Sequence, residues 1–108
     1  MTTSTSILAP AAFSPKDSAE IIMLGFDFAA LLAEGVTISG PATAISVHDG
    51  TDASAASVLS GAPTVSGTKV LQQVVGGVAG VTYKVRAQAD ASDGQRYVLA
   101  GLLPVRAA

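Results

Sequence analysis

Alternation of apolar and polar residues is clearest in the second half of the chain. Between residues 81 and 89 every odd-numbered position is apolar, and Lys84, Arg86 and Gln88 fall between them. This period of two predicts a strand that buries one face and exposes the other. Residues 68–75 and 96–105 predict further strands. The Asp-Gly pair in the turn at 91–94 predicts an antiparallel hairpin between the last two strands.

The pattern in residues 20–28 fits two periods. Ile21, Leu24 and Phe28 share a helical face, but the same run also fits a buried strand. Gly25 in the middle of the run and the β-branched isoleucines favour a strand over residues 20–27. A helical turn over residues 29–33 would follow, and Gly35 would close it.

The middle of the chain predicts short strands divided by turns. Residues 36–39 and 43–47 are strand candidates separated by a turn at Gly40-Pro41. After a turn at residues 49–52, weaker candidates lie at 55–59 and 64–65, separated by Gly61-Ala62-Pro63.

About seven short strands at intervals of roughly 8 to 12 residues are typical of an immunoglobulin-like antiparallel β-sandwich. The length of 108 residues suits one hydrophobic core. We assign the all-β domain to residues 13–108 and an extended N-terminal arm to residues 1–12. Tyr83, just after a glycine-rich stretch, fits a tyrosine corner whose hydroxyl bonds to the backbone. An ordinary core or rim tyrosine is the alternative.

The arm is polar at its start and carries apolar residues towards its end. Ile7, Leu8 and Phe13 are candidate partner-binding residues, because they could anchor the arm on a neighbouring protein. A frayed terminus is the competing interpretation.

The composition favours association. Hydrophobic residues make up 49% of the chain and charged residues 13%, against about 25% charged in an average soluble protein. A sparsely charged surface tends to be covered by a partner or a second copy, although small residues could cover it instead. The net charge is −2 and the basic residues are scattered, so we expect no nucleic-acid partner. No signal peptide or long apolar run is evident, so we expect synthesis in the cytoplasm and no membrane partner.

The chain contains few of the side chains on which catalysis depends. His48 is the single histidine and there is no cysteine, which leaves no thiol dyad or typical zinc site. Asp49, Asp52, Asp90 and Asp93 lie in turns, where aspartate is common for conformational reasons. We therefore predict no catalytic, cofactor or metal site. Scarce aromatic residues also disfavour a module that binds carbohydrate or a host surface.

Five short motifs occur in an order that resembles a known family. They are Lys16-Asp17-Ser18-Ala19-Glu20, Gly25-Phe26-Asp27-Phe28, residues 32–38, residues 75–83 and Ser92-Asp93-Gly94-Gln95-Arg96. Together they resemble a family of small immunoglobulin-like virion proteins of tailed bacteriophages, encoded among head and neck genes. Phe28, Val36 and Ser18-Ala19 depart from the family pattern. The resemblance brings no catalytic residues.

A virion structural protein is the function that this resemblance implies. The first expectation is a capsid decoration or cement protein that binds the major capsid protein, with self-association also possible. The alternative is a neck, head-to-tail or tail component of the same fold.

Overall fold

The computed structural model describes residues 11–107 and shows two β-sheets packed as a sandwich. The predicted all-β, immunoglobulin-like fold is confirmed. The strands are β1 (Ala11–Ala12), β2 (Lys16–Asp17), β3 (Ile22–Asp27), β4 (Ile38–Asp49), β5 (Leu59–Ser66), β6 (Lys69–Val74), β7 (Thr82–Ala91) and β8 (Arg96–Arg106).

The larger sheet has the order β1-β8-β7-β4, and β2 also pairs with β8. Strands β1 and β2 run parallel to β8, whereas the β7–β8 and β4–β7 pairs are antiparallel. The smaller sheet is antiparallel with the order β3-β6-β5. The predicted hairpin is confirmed: Asp90 lies opposite Arg96, and Gly94 adopts a φ of +90° in the turn between them.

The core lies between the two sheets, as the period of two in β7 predicts. Tyr83, Val85, Ala87 and Ala89 are fully buried along one face of β7, while Lys84, Arg86 and Gln88 lie on the other face and are half-buried or exposed. The smaller sheet contributes the buried side chains of Leu24, Phe26, Val70 and Val74.

The predicted turn at Gly40-Pro41 is wrong, because β4 runs through it as one strand. The pairing with β7 shifts register between Ser39 and Ala42, and Gly40 has a φ of +58°. Glycine at positive φ permits such a bulge without ending the strand. Proline is tolerated there because β4 is the edge strand of its sheet.

The strand predicted at residues 55–59 is also wrong over most of its length. Ala55–Val58 forms a 3-10 helix, and β5 begins only at Leu59. Gly61 and Pro63 do not divide β5, since its pairing with β6 shifts register between Ser60 and Thr64 instead. The helical turn expected at residues 29–33 is a 3-10 helix at Ala29–Leu31. No helix in the described part of the chain is long and apolar enough to cross a membrane.

Candidate interaction surfaces

The Tyr83 hydroxyl ties two loops to the core. It accepts a hydrogen bond from the Val78 backbone N–H at 2.8 Å and donates one to the Asp52 carboxylate at 2.7 Å. Burial raises the pKa of Tyr83, and the hydrogen bond to Asp52 adds to this rise. The tyrosine-corner interpretation is confirmed. The role of Asp52 was not predicted, because nothing in its local sequence distinguishes it from an ordinary turn aspartate.

Phe13 packs on the sandwich at the edge of the larger sheet. Its half-buried ring meets the ring of Phe26 edge to face at 5.5 Å, and its N–H donates to the Leu102 carbonyl at 2.8 Å. Ile7 and Leu8 lie outside the described residues. The partner-binding role of Ile7, Leu8 and Phe13 stays a prediction.

Lys16 is a buried cation that fastens β2 to the glycine-rich turn after β6. Its side chain is fully buried, and Nζ donates to the carbonyls of Gly76 at 2.7 Å and Asp17 at 2.9 Å. Burial lowers the pKa of Lys16 because it removes water from the ammonium group. A cleft of about 490 Å³ opens beside it, lined by Pro15, Lys16, Asp17, Glu20, Arg106 and Ala107. The two cations and two carboxylates of this lining offset each other, so the cleft favours no particular ligand charge.

Strand β3 is an edge of the smaller sheet and exposes large apolar side chains. Ile21 is 64% exposed and Met23 is 56% exposed. Both lie on the outer face, whereas Leu24 and Phe26 point into the core. Exposed apolar side chains at an unpaired strand are a common sign of an interaction surface.

Neither a cluster of metal-ligating side chains nor an exposed aromatic side chain occurs on the described surfaces. Among residues 11–107, no three histidine, aspartate or glutamate side chains come together as metal ligands. Phe13 and Tyr97 are half-buried, and the remaining aromatic side chains, Phe26, Phe28 and Tyr83, are buried.

Comparison with known families gives a match over most of the domain. A family model described as podophage GP4 fiber-tail adaptor protein gp77 matches residues 16–103. This range begins in β2 and ends in β8, so it includes nearly the whole sandwich. No curated protein matches the chain.

Proposed function

Because the chain belongs to the Gp77 family of podophage GP4 fiber-tail adaptor proteins, we propose that it is a structural component of the tail or neck of a phage particle. The family match over residues 16–103 is the observation that carries this proposal. The family is one of structural adaptors and not a class of enzymes, so the proposed work is protein–protein attachment.

This proposal replaces capsid decoration, the first expectation from the sequence, with its alternative. The family description names a tail adaptor, which supports a tail or neck position and gives no support to a cement role on the capsid. The proposed partners are accordingly other virion proteins of the tail region, with the major capsid protein as the less supported partner. The protein would be made in the host cytoplasm and reside in the virion.

The surface of the domain supports attachment through apolar contacts. Ile21 and Met23 are exposed beside the unpaired edge of β3, and the chain has few charges to hold a partner by ion pairs. Ile7, Leu8 and the half-buried ring of Phe13 are proposed to add contacts with a neighbouring virion protein.

The test is the copy number of this protein in purified particles, measured by quantitative mass spectrometry against the major capsid protein. A tail or neck ring predicts about six to twelve copies per particle, as expected of one cyclic assembly. Hundreds of copies would move the protein to the capsid surface. Its absence from particles would refute a virion role.

A further inference from the structure

We propose that the open edge of β3 is a strand-addition site and that its occupant is the N-terminal segment, residues 2–9, of a second copy of this chain. The proposal rests on the proposed function in one respect: several copies must meet in the virion. It adds the surface, the segment that fills it and the mode of binding.

The backbone of β3 presents an unused hydrogen-bonding edge. The Phe28 N–H donates to the Thr68 carbonyl, and the register with β6 runs without a bulge from Ile22 to Asp27. Because hydrogen-bonded and non-hydrogen-bonded pairs alternate in an antiparallel ladder, the backbone N–H and C=O groups of the even-numbered residues of β3 point towards β6. The N–H and C=O groups of Met23 and Gly25 therefore point away from the sheet, and within residues 11–107 no strand pairs with them.

The side chains around this edge lack the usual protection of an edge strand. Natural edges carry lysine, proline, bulges or inward charges, which discourage pairing with another chain. β3 has no proline, lysine or bulge, and its single charge is Asp27 at the last position. Met23 and the preceding Ile21 are exposed instead. An added strand would cover both while its backbone pairs with Met23 and Gly25.

Residues 2–9 have the composition and length that this edge requires. The segment Thr2-Thr3-Ser4-Thr5-Ser6-Ile7-Leu8-Ala9 has no charge and no proline, and β-branched residues are frequent in it. Eight residues in extended conformation span roughly 26 Å, against roughly 20 Å for the six residues of β3. Ile7 and Leu8 are the side chains able to pack against Ile21 or Met23.

The direction of the chain assigns this segment to a second copy. Phe13 contacts Phe26 near the end of β3, whereas Lys16 bonds to Gly76, just after the residue paired with Ile22 at the start of β3. The chain thus passes β3 in the opposite direction. Because the described chain begins beside the end of β3, the added strand is assigned to a second copy and not to the same chain.

A pair of variants at Gly25 tests the site. Gly25→Pro removes an N–H that points outwards, and Gly25→Ala adds a Cβ but keeps this N–H. A Cβ at Gly25 meets Leu71 at an ordinary 3.5 Å, so Gly25→Ala should fold. Gly25→Pro should also fold, because edge strands tolerate proline where the N–H faces away from the sheet. By sedimentation velocity on the full chain, we expect Gly25→Pro to weaken self-association by at least about tenfold. Gly25→Ala should associate like the unmodified chain, and equal association of the two variants would overturn the proposal.

A mixing experiment identifies the occupant. A chain without residues 2–9 keeps the edge, and the Gly25→Pro chain keeps the segment. Each should be monomeric alone, and together they should form a 1:1 complex. Self-association of the shortened chain would overturn the proposal in favour of pairing between two β3 edges. If the full chain is monomeric and its Met23 and Gly25 amides resist hydrogen exchange, the segment closes its own edge and the proposal is overturned. If it is monomeric and these amides are not protected, strand addition is refuted. None of these results depends on the copy number in particles, which tests the proposed function separately.

Discussion

The hydroxyl group of Tyr83 holds two loops in place, because it bonds both to Val78 and to Asp52. We expect Tyr83→Phe to lower the free energy of unfolding by about 1 to 2 kcal/mol, since it leaves the Val78 N–H and the Asp52 carboxylate without this partner. Urea denaturation measures the change. Tyr97→Phe is the matched control, because the Tyr97 hydroxyl makes only an exposed 3.2 Å bond to Gln95. Equal effects of the two substitutions would contradict the structural role of Tyr83.

The same residue predicts a loss of stability at alkaline pH. The folded state raises the pKa of Tyr83 above its ordinary value of 10.0, chiefly through burial. The folded protein therefore holds this proton more tightly than the unfolded chain does. The resulting stability is fully present below about pH 10 and is lost as the pH rises through the folded-state pKa. The stability difference between the unmodified chain and Tyr83→Phe should shrink over that range, and a difference that is constant with pH would refute the linkage.

The role of a single residue can be predicted from the sequence only when its neighbours in the chain form a recognisable pattern. Tyr83 was predictable because a strand pattern follows a glycine-rich turn, which is the setting of a tyrosine corner. Asp52 and the buried Lys16 were not, because their partners are 31 and 60 residues away in the chain. Only the folded topology brings such groups together.

Among the elements, β5 is held in place by the buried side chain of Gln72 on β6. Its Nε2 lies 3.2 and 3.1 Å from the carbonyls of Ser60 and Gly61, within the irregular part of β5. Its Oε1 accepts a hydrogen bond from the Thr43 hydroxyl of β4 at 2.6 Å. One amide thus bonds to backbone carbonyls at the start of the register shift, and it links the two sheets.

Gln72→Leu should therefore destabilise the protein by about 2 to 3 kcal/mol, because several buried polar groups lose their partner together. Thr43→Val removes only one hydroxyl donor and should cost less, about 1 kcal/mol. Chemical denaturation of both variants checks the order. A Gln72→Leu variant as stable as the unmodified protein would show that water replaces the amide.

The attachment of β1 depends on the absence of a side chain at Gly101. A Cβ at this position would overlap the ring of Phe13. Gly101→Ala should displace that ring and destabilise the domain by about 1 to 3 kcal/mol. In a Phe13→Ala background the same substitution should cost much less, and thermal unfolding of the double-mutant cycle measures this coupling. Additive effects would mean that Phe13 does not pack here in solution.

Strand positions were more predictable than strand boundaries for a physical reason. In β7 the apolar alternation follows burial directly, so sequence and structure agree. In β4 and β5, glycine and proline were interpreted as breaks, yet both strands continue through bulges. Whether a glycine ends a strand or bends it depends on the pairing strand, which local sequence does not specify.

On the scale of the whole molecule, the sequence indicated the class of particle but not the position within it. The ordered glycine-containing motifs resemble tailed-phage virion proteins, and the family match agrees at that level. The position of the protein in the particle depends on which virion protein binds its surface, and the sequence of one partner does not identify the other. The preference for the capsid followed from sparse charge and an apolar arm, which suit any extensive protein interface equally well.

Sparse charge does predict how assembly responds to salt. The ion pair found within residues 11–107 joins Arg96 to Asp90, both of which are substantially exposed, and such surface pairs contribute little. If attachment uses the β3 edge with Ile21 and Met23, its free energy comes from backbone hydrogen bonds and apolar burial, which salt screens weakly. The self-association constant measured by sedimentation should change by less than about threefold between 0.05 and 0.5 M NaCl. A Met23→Lys variant should associate more weakly, because it places a charge on the contact surface. Dissociation of the unmodified chain at modest ionic strength would instead place the binding energy in ion pairs.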